Sequence, residues 1–255
     1  KNIMIKIDNT KQSQNFSTNS DGTPKLTVKK AVTLHKTVGS FKGAIEWLST
    51  TPKERLEKHG KESWSSAHTI DDRNNPGVIN QIIPFSHRAW HAGGVIRRTQ
   101  RALDVIGVLD PNNVTIGHEL AAYYDINRDG NTSEEEKKAT LSQLDDFVDF
   151  MFYLEEESKT NPYLEITADA SCLMTHKDVN PHKPDMEWEY EYVVKKMKER
   201  KLASGYQESN SPLEIIEDDI YDAHVHLGEL EEKIKTLEKN QKLLISIISQ
   251  VLKKL

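Results

Sequence analysis

The sequence has one cysteine, Cys172, among its 255 residues. An internal disulfide is therefore excluded, and the chain is expected to fold in a reducing compartment or without covalent cross-links. It also has no apolar run of about 18 residues, so no membrane span is expected. Residues 1–25 lack the apolar stretch of a secretory signal, but the chain begins with Lys rather than Met, so the export route stays open.

A basic surface is missing as well. The formal net charge is -6 at pH 7, and the short basic cluster KKMKERK at 195–201 suits the solvated end of a helix. Binding to nucleic acid depends on a positively charged face, so a nucleic-acid partner is not expected. With 29% charged and 36% hydrophobic residues, the composition is that of a soluble globular protein. The length suits one domain with an appendage, or two small domains.

Changes in residue pattern divide the chain. Residues 1–25 are rich in Asn, Ser, Thr, Gln and Lys, which predicts a flexible N-terminal arm. From 26 to 201, β-like runs such as LTVKKAVTLH alternate with helical patterns, which predicts an α/β domain with a central mixed β-sheet flanked by helices. Residues 202–212 contain Gly, Ser, Asn and Pro without periodicity and indicate a linker.

The last segment, 213–255, repeats apolar residues every seven positions. In one register, every core position of these heptads is apolar except Gln241. A single helix packed against the domain would drift from a strict heptad, because an α-helix has about 3.6 residues per turn, so a coiled coil is favoured. Leu predominates at the first core position and Ile at the second, which predicts a homo-oligomer, a trimer or a tetramer.

Residues 125–136, DINRDGNTSEEE, have the spacing of an EF-hand calcium loop, with Gly130 at the sharp turn. Two features favour an alternative: Thr132 stands where an apolar residue is usual, and the preceding segment is β-like rather than helical. The alternative is an acidic turn that caps the following helix. We favour a structural calcium ion. Its oxygen ligands would be Asp125, Asn127, Asp129, Asn131, Ser133 and Glu136.

Two histidines follow β-like runs that would place them at the edge of a sheet. His35 ends the run VTLH, and His176 follows LMT, with Asp185 nine residues further on. Two imidazoles and one carboxylate form a known catalytic zinc set, because three protein ligands leave the fourth position open for water or substrate. The residues alone do not single out this set, since ten histidines allow many others.

Four ordered segments carry a resemblance to a known family. They are VTLHKT, SSAHTIDDRNNPGVINQIIPFSHRAWHAGG, TIGHEL and THKDVNPHKPD, within about 26–190. Together they resemble the type 2 N-acetylmuramoyl-L-alanine amidases, a group that also holds phage T7-type lysozyme and the peptidoglycan recognition proteins. The resemblance implies a zinc amidase fold, a catalytic zinc ion, and hydrolysis of the amide bond between N-acetylmuramic acid and L-alanine in peptidoglycan.

The resemblance implies that His35, His176 and Asp185 are the zinc ligands. The last segment departs from the family pattern, because Asp185 is not followed by Pro-Gly and the loop is one residue shorter. The alternative third ligands are His182 and Asp178.

Four further roles follow from the resemblance. Glu119 matches the acidic residue that helps to activate the zinc-bound water, and Lys183 matches the cationic residue that stabilises the oxyanion. His91 matches a cleft residue that contacts the glycopeptide, and His68 lies where other substrate-binding residues of the cleft are found.

The expected function is therefore a bacteriolytic peptidoglycan hydrolase. The alternative is a non-catalytic peptidoglycan-binding module of the same fold, which should lack at least one zinc ligand or Glu119; the sequence has all of them. The missing signal sequence and the absence of a recognisable wall-binding repeat favour a phage-type lysin over a secreted autolysin. Such a protein acts on the cell wall, in the host periplasm or from outside.

Overall fold

A computed structural model describes 5–37, 40–60, 62–121, 134–183 and 186–204, without the side chains of 134–140. The chain divides into two compact units, Lys1–Ser204 and Gly205–Leu255. The proposed calcium ligands and Asp185 lie outside the described residues or side chains, as does the predicted coiled coil.

A six-stranded mixed sheet forms the centre of the first unit, with the strand order β1-β4-β3-β5-β2-β6. Every neighbouring pair is parallel except β3 and β4, which are antiparallel. The prediction of a central mixed sheet is thereby confirmed. The strands are β1 (Lys6–Asp8), β2 (Ala31–Thr37), β3 (Thr69–Asp72), β4 (Val78–Gln81), β5 (Thr115–Ala121) and β6 (Leu173–Thr175).

Helices flank the sheet, and local sequence signals explain where several begin. Ser40, Thr51 and Thr99 each accept a hydrogen bond from a backbone N–H of the following first turn, which is the role of an N-cap. The helices are α1 (Phe41–Ser49), α2 (Pro52–His59), α3 (Gln100–Ile106), α4 (Pro111–Val114), α5 (Glu134–Glu157) and α6 (Glu187–Ala203), with 3₁₀ turns at Ala170–Cys172 and His176–Asp178. No helix of the described residues is long and apolar enough to cross a membrane.

The core lies on both faces of the sheet. On one face, Leu34 of β2 and Ile116 of β5 pack with the α5 side chains Phe147 and Phe150 in a fully buried cluster. On the other face, smaller clusters join α1 to β3 and α3 to β6. Because side chains alternate along a strand, the odd-numbered residues of β2 and β5 lie on this second face.

The N-terminal segment differs from the flexible arm predicted over 1–25. Lys6–Asp8 pairs with β4, and Ser13 and Asn15 are buried. The Asn15 side-chain amide donates to the carbonyl oxygens of Leu48 and Ser65, at 3.1 and 2.7 Å. Such polar contacts order a segment without burying large apolar side chains, so its composition gave no sign of them.

Candidate active site

The two central strands bring a histidine and a carboxylate together. β2 and β5 are parallel, with His35 directly opposite Glu119 and both side chains buried. His35 Nδ1 lies 3.9 Å from Glu119 Oε1. Thr37, two residues beyond His35 and therefore on the same face, donates its hydroxyl to Glu119 Oε2. Thr37 is not among the site residues predicted from the sequence, although this spacing in VTLHKT could have indicated it.

The second predicted histidine joins this cluster from the neighbouring strand. β6 pairs with β2, and His176 begins the 3₁₀ turn that follows β6. The ring centroids of His35 and His176 are 4.4 Å apart, with the rings inclined at 71°. Two of the three predicted zinc ligands are therefore neighbours, although 141 positions separate them in the sequence (176 − 35).

Hydrogen bonds assign the tautomers of these rings. His176 Nε2 lies 2.9 Å from the carbonyl oxygen of Ala92, so Nε2 carries the proton because a carbonyl can only accept. His91 Nε2 likewise donates to the carbonyl oxygen of Thr115 at 3.2 Å, which leaves His91 Nδ1 to accept from His35 Nε2 at 3.1 Å. Both His35 and His176 then present an unprotonated Nδ1.

Burial keeps these imidazoles neutral. It lowers the pKa of His35 well below its usual value, and the neighbouring His176 adds to the effect. Burial also lowers the pKa of His176 to about 4, with the charge of Lys183 as a second cause. Neutral rings whose second nitrogen is held by a carbonyl or another imidazole are typical of metal ligands. This donor set therefore fits a zinc ion.

The pKa of Glu119 is shifted in the opposite direction. Burial raises its pKa to about 7, while the Thr37 hydrogen bond and the charge of Lys183 act in the lowering direction. A carboxyl group that titrates near neutral pH exchanges a proton at low cost, which suits a general base. Lys183 is exposed, and its positive charge acts to lower the pKa values of Glu119, His35 and His176.

His91 and His68 lie inside the domain. A Cβ on Gly117 would be 2.4 Å from His91 Cγ, so the glycine allows the His91 ring to lie against β5. His68 is fully buried: its Nδ1 accepts from Gly117 N at 3.0 Å, and its Nε2 lies 2.8 Å from the carbonyl oxygen of His87. Both placements suit residues that position the strands, and substrate contact by either stays a prediction.

Asp178, one of the two alternatives to Asp185, is already engaged. Its carboxylate accepts from Thr175 N at 2.7 Å and from the Thr99 hydroxyl at 2.6 Å, and it lies 3.4 Å from Arg101. It therefore caps the turn that begins at His176. Among the described residues, which leave out Asp185, no group of three histidine, cysteine, aspartate or glutamate side chains is arranged to hold a metal ion.

A buried polar chain that sequence reasoning also missed supports the site. Lys29 is fully buried, and its Nζ donates to the carbonyl oxygen of Asn113 at 2.9 Å. The adjacent Asn112 accepts from Ala92 N at 2.9 Å and donates to the carbonyl oxygen of Gly93 at 3.1 Å. This chain fixes the carbonyl that orients His176. Composition offers no signal for it, because most lysines and asparagines are exposed.

The fold is mixed α/β, and the cluster combines neutral imidazoles with a buried carboxyl group suited to act as a general base, as in a hydrolase. The model of the N-acetylmuramoyl-L-alanine amidase family matches residues 25–187, more than half of the chain. The chain therefore belongs to this family of peptidoglycan amidases, which confirms the predicted resemblance.

Several solved structures are similar to this chain. The endolysin N-acetylmuramoyl-L-alanine amidase LysCS from Clostridium intestinale URNW has 19% identity and a TM-score of 0.42, over 76% of this chain and 97% of that one. The PlyG catalytic domain has 16% sequence identity and a TM-score of 0.44, over 82% of this chain and 99% of that one. AmpDh3 from Pseudomonas aeruginosa has 16% sequence identity and a TM-score of 0.40, over 77% of this chain and 74% of that one. No curated protein sequence matches the chain.

Proposed function

We propose that the protein hydrolyses the amide bond between N-acetylmuramic acid and L-alanine in peptidoglycan, with water activated at a zinc ion. The observation that carries this proposal is the pairing of two neutral imidazoles with a buried carboxyl group whose pKa is about 7. His35 and His176 would hold the metal through Nδ1, and Asp185 would complete the set. The ion, when bound, would polarise the scissile carbonyl and lower the pKa of a bound water molecule toward about 7.

The remaining chemistry is assigned to side chains of this chain. Glu119 would accept the proton of the attacking water and return it to the departing amine of L-alanine. Thr37 orients the Glu119 carboxylate through its hydroxyl. Lys183 would stabilise the oxyanion of the tetrahedral intermediate by its charge. His91 fixes the tautomer of His35 from inside the domain, and contact of His91 or His68 with the glycopeptide is proposed only because the family resemblance implies it.

Digestion of purified peptidoglycan tests the reaction itself. We expect the protein with zinc to release peptides that begin with L-alanine, and we expect a zinc chelator to stop the release. Mass analysis of the soluble products identifies the broken bond. Products that carry cleaved glycosidic or peptide–peptide bonds would contradict the proposal. Intact peptidoglycan with tight binding would instead favour the non-catalytic binding module.

The acid limb of the pH profile tests Glu119 as the base. Because only the ionised carboxylate accepts a proton, kcat/KM should fall on the acid side as Glu119 becomes protonated; burial raises the pKa of this group to about 7 in the metal-free chain, and the charge of a bound zinc ion would lower it. Thr37→Val removes a hydrogen bond that favours the ionised form, so the limb should move to higher pH by about one unit. Thr33→Val makes the same change on the same strand, where Thr33 contacts Thr115 instead, and should leave the limb in place. An unmoved limb in Thr37→Val would argue against this assignment.

We also propose the wider organisation that the sequence predicts. The catalytic domain, predicted over 26–201, also includes β1 (Lys6–Asp8) and the end of α6 at Ala203, so only the later part of the predicted linker 202–212 would join it to a coiled coil over 213–255 that forms trimers or tetramers. Several catalytic domains on one stalk would raise the local enzyme concentration on a polymeric wall. The proposal also includes a structural calcium ion bound by residues 125–136. It further includes that the protein is a phage-type lysin that acts on the bacterial cell wall.

A further inference from the structure

Arg101 on α3 bridges two carboxylates that lie on either side of one loop. Its Nη1 lies 3.4 Å from Asp178 Oδ2, and its Nη2 donates to Glu187 Oε1. Asp178 ends the 3₁₀ turn that begins at His176, and Glu187 is the first residue of α6. One guanidinium group therefore joins the two ends of the segment 179–186.

The segment 179–186 contains two of the proposed site residues, Lys183 and Asp185. Backbone hydrogen bonds hold its described part to the preceding turn, from Asn180 N to His176 O at 3.1 Å and from Lys183 N to Asn180 O at 3.0 Å. These bonds join residues within the turn and the segment. A constraint between the two ends of the segment must therefore come from another element of the fold.

The first end of the segment is fixed to the start of α3. Thr99, the N-cap of α3, donates its hydroxyl to Asp178 Oδ1 at 2.6 Å and its backbone N–H to Asp178 O at 2.8 Å. The Asp178 side chain is buried, and its Oδ2 accepts from Thr175 N at 2.7 Å and also faces Arg101. Because a buried carboxylate needs both donors and a compensating charge, Arg101 is held at the turn that carries His176.

The second end is held by the shape of the guanidinium group. The Glu187 carboxylate is 51% exposed, and an isolated ion pair at such a position contributes little. Arg101 also stacks on Tyr190, about one turn further along α6, with its Cζ 3.7 Å from the ring centroid. A planar guanidinium group can bind two carboxylates and stack on a ring at once, which the single ammonium group of lysine cannot do. The start of α6 is therefore fixed to Asp178 through Arg101.

We propose that Arg101 is a positioning residue of the zinc site, which holds the segment 179–186 in place relative to the histidine pair by joining Asp178 to the start of α6. This proposal rests on the proposed function, which gives that segment the third metal ligand and the charge that stabilises the oxyanion. Arg101 acts only through the segment. It limits the conformations that the segment can adopt, so less entropy is lost when the metal ion binds.

Zinc titration of the metal-free full chain tests this role. We expect Arg101→Ala to lower the zinc affinity about 10- to 100-fold, as is typical for a residue that orients a metal ligand. Arg101→Lys keeps the positive charge but not the bridge, so it should restore only part of the affinity. Hydrogen exchange of the segment 179–186, measured without zinc, should be faster in Arg101→Ala than in the wild-type chain. This second measurement needs neither bound metal nor activity.

Arg200→Ala is the matched control for general loss of stability. Arg200 pairs with Asp149 and stacks on Phe152, with its Cζ 4.4 Å from the ring centroid, and its side chain is 17% exposed against 16% for Arg101. It lies on the same helix as Glu187 but 13 residues further on (200 − 187), a distance of about 20 Å along the axis. Its loss should cost similar stability, which melting temperatures measure, and should leave the zinc affinity and the exchange of the segment at wild-type values.

The two measurements separate this proposal from the proposed function. Faster exchange in Arg101→Ala alone supports the bridge even if the wild-type chain binds no zinc, a result that would contradict the proposed function instead. Wild-type exchange in Arg101→Ala overturns the bridge, and wild-type zinc affinity in this variant overturns its positioning role. Equal losses of zinc affinity in Arg101→Ala and Arg200→Ala also overturn that role, because the effect would then be one of stability. Full affinity in Arg101→Lys would show that charge alone suffices, which overturns the bridge as well.

Discussion

Glu119→Ala is expected to lower the turnover of peptidoglycan about 10²- to 10⁴-fold while the protein stays folded and retains zinc. Glu119 is buried beside His35, and burial raises its pKa to about 7. That position carries a cost in stability, since an ionised carboxylate is poorly solvated there. Its removal should therefore leave the melting temperature at pH 8 unchanged or higher, as is usual for residues kept for activity rather than stability.

A second buried glutamate offers a matched control for this experiment. Glu189 on α6 is fully buried and paired with Lys36 at 3.1 Å. Lys36 follows His35 on β2, so its side chain lies on the opposite face of the sheet from the histidine pair. Glu189→Gln should lower the melting temperature, because it weakens a buried ion pair, and should leave turnover per folded molecule near the wild-type value. If Glu119→Ala kept more than about a tenth of the wild-type turnover, Glu119 would not be the general base.

The sheet was predictable because its central strands have strong local signals. The apolar residues of β2 and β5 form short runs; β5 is buried along its whole length and β2 over its first five residues, which matches strands covered by helices on both faces. The prediction of a flexible N-terminal arm was wrong because the contacts that order this segment have no local signal in the sequence. Lys6–Asp8 joins the sheet, and Asn15 anchors the following segment through side-chain hydrogen bonds. Polar anchors of this kind depend on partners that lie far away in the sequence.

The candidate site was likewise predictable from the sequence only in part. His35 and His176 could be singled out from the sequence, because a resemblance supplied their spacing and β-like runs placed them at strand ends. The protonation of their rings could not be predicted from the sequence, because it depends on the carbonyl of Ala92 and on His91, which only the folded chain brings into contact with them. The raised pKa of Glu119 is likewise a consequence of burial, which no local pattern in TIGHEL encodes.

Replacement of either histidine of the pair is expected to remove the metal. His35→Ala or His176→Ala leaves at most two ligands, so we expect zinc affinity to fall by at least about 100-fold, more than the loss of an outer hydrogen-bond partner causes. Turnover should fall with the zinc content, which elemental analysis measures on the purified variants. Full zinc occupancy in both variants would exclude this site as the zinc site.

The third ligand is decided by a comparison within one loop. Asp185→Ala should lose zinc as the histidine variants do, whereas His182→Ala should keep it, because His182 is exposed and is the remaining alternative. The reverse result would transfer the ligand role to His182. Asp178→Asn is the informative third variant: its carboxylate caps the His176 turn through Thr175 N. This change should weaken zinc binding only through the position of His176, about 10- to 100-fold, as expected for a residue that orients a ligand.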